Sequence, residues 1–166
     1  MDVIILAGGL GTRLQSVVND VPKPLALINQ KPFLDILLDQ LAGFGSIKKV
    51  VLAVCHRADQ IISRYSVLKY PFEIEFSIEE EPLGTGGAVI QALSFCDDED
   101  VLVLNGDSYV DFNLTSLLSF HKKNKSLFTV KLIKVENGDH YGRVEFEPQT
   151  CKVTTFREKE FLGKEG

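Results

Sequence analysis

Three glycines, a hydroxyl and an arginine stand close together in Leu6-Ala7-Gly8-Gly9-Leu10-Gly11-Thr12-Arg13-Leu14. Glycine has no Cβ, so backbone N–H groups in such a turn can close on a polyphosphate, and a guanidinium adds charge-assisted bonds. The segment reads as a phosphate cradle. Downstream, Val21-Pro22-Lys23-Pro24-Leu25 sets one lysine between two prolines, which fix φ and restrict the residue before each. Lys23 is thus carried on a stiff segment, which suits a catalytic cation. From Gly8 to Lys31 the cations Arg13, Lys23 and Lys31 stand against a single acid, Asp20, in a chain whose 18 Lys and Arg are outnumbered by 23 Asp and Glu. Anion binding is therefore a local property, and the net charge of −5 excludes the broad basic surface of a nucleic-acid or anionic-membrane binder.

Two other phosphate-binding patterns fail on spacing. A dinucleotide fingerprint needs glycine where Leu14 stands and a ribose-binding acid near Cys55 and His56, and the Walker pattern needs a Gly-Lys-Ser/Thr that is missing. A dinucleotide-dependent oxidoreductase is correspondingly disfavoured.

Positioning these groups requires strands and helices in alternation. Val3 to Ala7 is a β-branched run ending at Gly8-Gly9, a buried strand feeding a turn. Pro32 is expected at N1 of a helix through Phe33, Ile36, Leu37, Leu38 and Leu41, stopped by Gly43 and Gly45. A strand is expected over Ile47–Val54, a helix over Ala58–Leu68 and an alternating strand over Phe72–Ile78. Pro82–Gly87 reads as a glycine-rich corner and Ala88–Phe95 as a helix. Val101–Leu104 is expected as a strand, Asn113 as the N-cap of a helix through Leu117, Leu118 and His121, and Leu127–Val135, Gly142–Phe146 and Lys152–Phe156 as further strands. The pattern predicts an α/β fold: a Rossmann-like, mixed but mostly parallel sheet with helices on both faces, its closing strands forming a mixed edge, in one domain over residues 1–166. Ligands of such sheets bind beyond the carboxyl ends of the strands, so the segments after Ala7, Val54, Ile78 and Leu104 should line one crevice.

The apolar runs are far shorter than the about 18 residues a membrane span needs, and the N-terminus has no basic leader. Three cysteines without Cys-x-x-Cys spacing argue against a disulfide framework or a zinc knuckle, and a reducing, cytoplasmic setting is expected. No Ser/His/Asp or Cys/His arrangement is offered for nucleophilic catalysis. Taken singly, the other motifs have bland readings: Asp107 as a turn residue, Glu158-Lys159 as a solvated pair, the glycines after Pro82 as a tight turn. Their joint occurrence, in order and at strand ends, is what points to a site.

Leu6-Ala7-Gly8-Gly9-x-Gly11-Thr12-Arg13-Leu14 followed by Pro22-Lys23-Pro24-Leu25 resembles the signature of the sugar-phosphate nucleotidylyltransferases. Further likenesses are Glu81-Pro82-Leu83-Gly84-Thr85-Gly86-Gly87-Ala88, Leu104-Asn105-Gly106-Asp107, Tyr141-Gly142 and Phe156-Arg157-Glu158-Lys159. Within the family these loops look most similar to those of the D-glycero-D-manno-heptose 1-phosphate guanylyltransferases, with mannose 1-phosphate guanylyl and glucose 1-phosphate uridylyl or thymidylyl enzymes close by. The resemblance implies an enzyme that joins a nucleoside triphosphate, GTP on this likeness, to a sugar 1-phosphate with Mg²⁺, releasing pyrophosphate; a non-catalytic nucleotide-sugar-binding domain is the alternative. Neither nucleic acid nor membrane is an expected partner, and a homo-oligomer is compatible with the family.

By position, Leu6, Ala7, Gly8, Gly9, Gly11, Thr12 and Arg13 are implied in nucleotide binding, with Arg13 on the leaving pyrophosphate and Lys23 on the phosphates at the reacting centre. Glu81, Gly84 and Thr85 are implied in the base pocket, and Asp107 in holding the metal. Gly142 and Glu158 are implied at the sugar hydroxyls and Lys159 at the sugar phosphate. Family members generally continue into an Asn-Gly-Gly-like sugar loop and a second metal-binding aspartate. Neither lies within residues 1–166, so the C-terminal part of the fold is expected to be missing.

Overall fold

A computed structural model describes residues 1–9, 21–135 and 142–157. They gather into two compact units, Met1–Asp111 and Phe112–Gly166.

In the first unit, β1 (Asp2–Leu6), β4 (Lys49–Val54), β5 (Glu73–Ile78) and β6 (Val101–Asn105) form one parallel sheet in the order β5-β4-β1-β6. Its register sets Ile4 beside Val51 on one side and beside Val103 on the other. A parallel sheet covered on both faces needs strands that are apolar at every position rather than alternately. β1 and β4 satisfy this: Val3, Ile4 and Ile5 and the five residues from Val50 to Val54 are wholly buried. Between these strands run α1 (Phe33–Ala42), α2 (Ala58–Tyr65) and α3 (Gly84–Leu93), while β2 (Leu27–Ile28) and β3 (Lys31–Pro32) form a small antiparallel ladder before α1. The sheet order reverses between β1 and β6, which is where the ligand crevice of an open parallel sheet is expected.

α3 packs on the sheet through small residues. Ala88 and Ala92 meet Ile4, Val51 and Ala53, with Val89, Phe95 and Val101 around them. Alanines let helix and sheet approach closely, so the first turn of α3 arrives at the carboxyl ends of the strands. On the other side, the inward residues of α1 (Leu34, Leu37, Leu38 and Leu41) and of α2 (Ile61 and Tyr65) are also buried. These two helices are tied by buried Asp35, whose carboxylate accepts from the Tyr65 hydroxyl at 2.5 Å and from the Arg64 guanidinium at 2.5 Å. Burial, then the bond to Asp35, pushes the Tyr65 hydroxyl far above its ordinary pKa, so it remains a donor.

The second unit contains α4 (Leu114–Asn124) and the antiparallel pair β7 (Arg143–Phe146) and β8 (Val153–Arg157). Asn113 caps α4 as expected, its side-chain oxygen accepting the Ser116 N–H at 2.8 Å.

Four expectations need correction. The main sheet is parallel throughout, because β7 and β8 pair with each other instead of forming a mixed edge. Leu127–Val135 is not a strand: its N–H and C=O groups enter no ladder among the described residues, and Leu127 and Phe128 are 92% and 90% exposed. Pro32 stands at the N-cap of α1 rather than at N1, since it still pairs with Leu27 in the β2–β3 ladder. The corner at Pro82–Gly87 is in large part helix, α3 beginning at Gly84.

Replacing Tyr65 by Phe removes one donor to a buried charge while conserving volume. A loss of about 1.5–3 kcal/mol in urea-induced unfolding is expected, and an unchanged midpoint would show that Arg64 alone satisfies Asp35.

Candidate active site

Peptide hydrogen bonds carry the sheet past its last paired residues. Ala7 N–H donates to Ala53 C=O at 2.8 Å, Glu79 N–H to Val54 C=O at 2.8 Å and Gly106 N–H to Leu6 C=O at 2.9 Å. These bonds draw the ends of all four strands around one cleft of about 350 Å³, lined by residues including Leu6, Gly8, Ala53, Glu79, Asn105 and Asp107. Gly9 and, from the start of α3, Gly84, Thr85 and Ala88 complete it. Of the segments expected to line a crevice, those after Ala7, Ile78 and Leu104 do so, whereas β4 contributes Ala53 and no residue of the loop after Val54.

The approach of β6 to β1 depends on a missing side chain. A Cβ on Gly106 would lie 2.6 Å from the Leu6 carbonyl oxygen, closer than non-bonded contact allows. On the opposite wall a Cβ on Gly8 would stand 3.1 Å from Cys55 Cβ and 3.2 Å from Glu79 Oε1. Gly8, expected to serve phosphate, therefore also lets strand ends meet.

Lys23 reaches the cleft from a 3₁₀ turn over Lys23–Leu25. Pro22 and Pro24 are both buried, and Leu25 N–H and Ala26 N–H return to Pro22 and Lys23 carbonyls at 2.8 and 3.0 Å. The turn is anchored and only the lysine side chain is left to move. Its Nζ donates to Asp107 Oδ2 at 2.6 Å, while Asp107 Oδ1 accepts from Ser108 Oγ at 3.0 Å. Partial burial pushes the Asp107 carboxyl up, but the bonds from Lys23 and Ser108 and the charge of Lys23 outweigh it and hold it below the ordinary carboxylate range. Asp107 is thus an anion presented at a strand end beside a cation.

Glu79 was not singled out by its sequence, where it is the first of Glu79-Glu80-Glu81. The structure separates the three: Glu79 is 7% exposed and lines the cleft, whereas Glu81 is exposed and is not part of the lining. Glu79 Oε2 accepts the Leu83 N–H at 2.9 Å, satisfying the backbone donor of the N-cap residue itself at the start of α3. The one clue was position, two residues beyond Ser77 on an inward-facing period of β5. Burial, then the charge of Glu79, pushes the neighbouring Cys55 thiol up, so it is a poor nucleophile. His56 is exposed.

The remaining expected residues are placed as follows. Gly8, Gly9, Gly84, Thr85, Lys23, Asp107 and the carboxyl end of β1 at Leu6-Ala7 come together in the first unit. Gly142 is an exposed residue of the second unit, immediately before β7. Gly11, Thr12, Arg13, Glu158 and Lys159 lie outside the described residues. A larger hollow of about 990 Å³ within the second unit is lined largely by apolar groups such as Leu117, Phe120, Phe128 and Val153, with no carboxylate among the described residues that line it.

A family model described as "Nucleotidyl transferase" matches residues 2–160, a span containing every element of this cleft. The chain belongs to the nucleotidyl transferase family. It is an enzyme of the sugar-phosphate nucleotidyltransferase kind that its motifs resemble. It is 43% identical over 161 residues to the D-glycero-alpha-D-manno-heptose 1-phosphate guanylyltransferase of Campylobacter jejuni subsp. jejuni serotype O:2, covering 97% of this chain and 70% of that protein. It is 38% identical over 169 residues to the mannose-1-phosphate guanyltransferase of Yarrowia lipolytica, of which it spans 46%. Among solved structures, HddC from Yersinia pseudotuberculosis complexed with GMP-PN superposes with a TM-score of 0.80 at 35% identity, covering 95% of this chain and 69% of that one. As a member of this family the chain has its cleft where the parallel sheet reverses order.

In this nucleotidyl transferase, Gly106→Ala must push the end of β6 away from Leu6 or strain both. A destabilisation of about 1–3 kcal/mol is expected in denaturant unfolding, and a variant as stable as the parent chain would show that the Leu6 carbonyl can move aside.

Proposed function

We propose that the chain transfers a guanylyl group from GTP to a sugar 1-phosphate of the heptose or mannose type. The observation that carries this reading is the meeting, in one cleft, of the cradle's first glycines, Lys23, Asp107 and the start of α3. A phosphate oxygen of the sugar 1-phosphate attacks the α-phosphorus of the triphosphate, and the bond from that phosphorus to the bridging oxygen breaks, releasing pyrophosphate. The attacking oxygen is already anionic near neutral pH, so the obstacle is the assembly of several negative charges in line. That demands cations and N–H donors rather than a protein nucleophile, and Lys23 and the Gly8-Gly9 turn are groups of this kind.

Lys23 would hold the phosphates around the reacting centre, Arg13 the departing pyrophosphate and Lys159 the sugar phosphate, with Gly142 and Glu158 at the sugar hydroxyls. Among the described residues no group of three or more His, Cys, Asp or Glu could hold a metal. Asp107 nevertheless suits Mg²⁺, which commonly takes one or two carboxylates and fills its shell with waters and substrate phosphate oxygens. Bound there, Mg²⁺ would supply neutralisation of phosphate charge.

Glu79 supports guanine. With Oε2 occupied by Leu83, Oε1 is an acceptor on a buried carboxylate at the cleft wall. Guanine offers two adjacent donors, N1–H and N2–H, on its Watson–Crick edge. Uracil and thymine offer one donor between two carbonyls, and adenine sets its donor beside an acceptor. The named activities of the Campylobacter and Yarrowia relatives and the GMP-PN complex point the same way. No helix among the described residues is long and apolar enough to cross a membrane, and Cys55, Cys96 and Cys151 are free thiols; we read the setting as cytoplasmic.

Incubating the full-length protein with Mg²⁺, each of GTP, UTP, CTP, dTTP and ATP, and hexose or heptose 1-phosphates should release pyrophosphate fastest with GTP. Release with no pair would sink the proposal. Asp107→Ala should abolish turnover with an unchanged circular dichroism spectrum, and retained turnover would remove Asp107 from the site. Glu79→Gln should cut kcat/KM for GTP about 10- to 100-fold, the range that hydrogen bonding to one charged group supplies, while affecting UTP less; equal losses would leave Glu79 a purely structural role.

A further inference from the structure

The two groups assigned to phosphate and to metal are bonded to each other. We infer that Lys23 is a placeholder for the metal at Asp107, so that the chain accepts a divalent cation well only once a triphosphate has drawn Lys23 away. This deepens the preceding reading of the cleft and rests on it.

Three observations combine. The Lys23 ammonium sits 2.6 Å from Asp107 Oδ2, and Ser108 Oγ engages Oδ1 at 3.0 Å, so each carboxylate oxygen already accepts one bond. A magnesium ion bonds oxygen at about 2.0–2.1 Å, so a metal sharing Oδ2 would stand roughly 4 Å from the ammonium, where two cations repel; ammonium and metal compete for that oxygen. The pair is also easily opened, since the Lys23 and Asp107 side chains are 31% and 43% exposed, and partly exposed ion pairs are weak. The prolines hold the Lys23 backbone while its side chain remains movable. A polyphosphate entering the cleft presents oxygens to the ammonium, and the released carboxylate then meets the cation that travels with the nucleotide. Binding of nucleotide and of metal is therefore positively coupled through Lys23, and by linkage the coupling is reciprocal.

The test uses Mn²⁺ binding to the full chain, read by the electron paramagnetic resonance of free Mn²⁺, with and without a non-hydrolysable GTP analogue. Parent protein should bind Mn²⁺ weakly alone and more tightly with the analogue. Lys23→Met should bind Mn²⁺ alone about three- to fivefold more tightly, near the ceiling for a partly exposed ion pair, and its gain from the analogue should shrink by a similar factor. Lys23→Arg, which keeps the charge, should behave like the parent. Asp107→Asn should lose the Mn²⁺ site, and adding Lys23→Met to it should restore nothing. Lys23→Met without tighter Mn²⁺ binding, or with the same tightening in the Asp107→Asn background, would overturn the inference, as would no Mn²⁺ binding by any variant. Failure of the underlying reading is distinguished by calorimetry of the analogue with parent protein, which would then show no nucleotide binding whatever the Mn²⁺ result.

Discussion

The hydrogen bond from Gly106 N–H to the Leu6 carbonyl closes β6 onto β1 at the point where the strand order reverses. It extends the β1–β6 pairing by one residue and so fixes the backbone next to Asp107, the carboxylate that Lys23 meets. That bond is possible because residue 106 has no Cβ, whose nearest contact would be the same carbonyl oxygen. The rest of the cleft follows from the same device of close approach: Gly8 against Cys55 and Glu79, and Ala88 and Ala92 of α3 against Ile4, Val51 and Ala53. Small residues here set distances between elements, and those distances determine which functional groups share a volume.

Charge in the first unit follows a related logic. The chain is acidic overall, yet its acids are mostly committed. Asp35 is held by Tyr65 and Arg64, Asp2 accepts the N–H groups of Asp97 and Asp98, and Asp97 and Glu75 surround Lys49. At the cleft one carboxylate, Asp107, is balanced by one ammonium, and another, Glu79, caps the entry to α3 with one oxygen still directed to the cleft wall. Each of the two cleft carboxylates thus has a partner within the chain: Asp107 the Lys23 ammonium and Glu79 the Leu83 N–H.

Much of the fold was legible from local pattern. Continuous β-branched runs read as buried parallel strands, and Asn113 read as an N-cap, because these signals act over a few residues. The failures have a common cause. Leu127–Val135 has the composition of a strand, but a strand also needs a partner for its backbone groups. Pro82–Gly87 has the composition of a turn, but Glu79 and the packing of Ala88 and Ala92 start the helix at Gly84. Both outcomes depend on neighbours remote from the segment itself.

By itself the sequence determined the family, the alternation of strands and helices and the chemical character of the site: glycines, a proline-flanked lysine and an aspartate after a strand. These are properties of residue type and short spacing. Only the tertiary structure decided that Glu79, rather than the exposed Glu81, lines the cleft, since three consecutive acids differ only in which way the strand turns them. It alone decided that Lys23 and Asp107, separated by 84 positions, share a hydrogen bond. Strand order and the close contact at Gly106 set that distance, and neither is written in the spacing of the two residues along the chain.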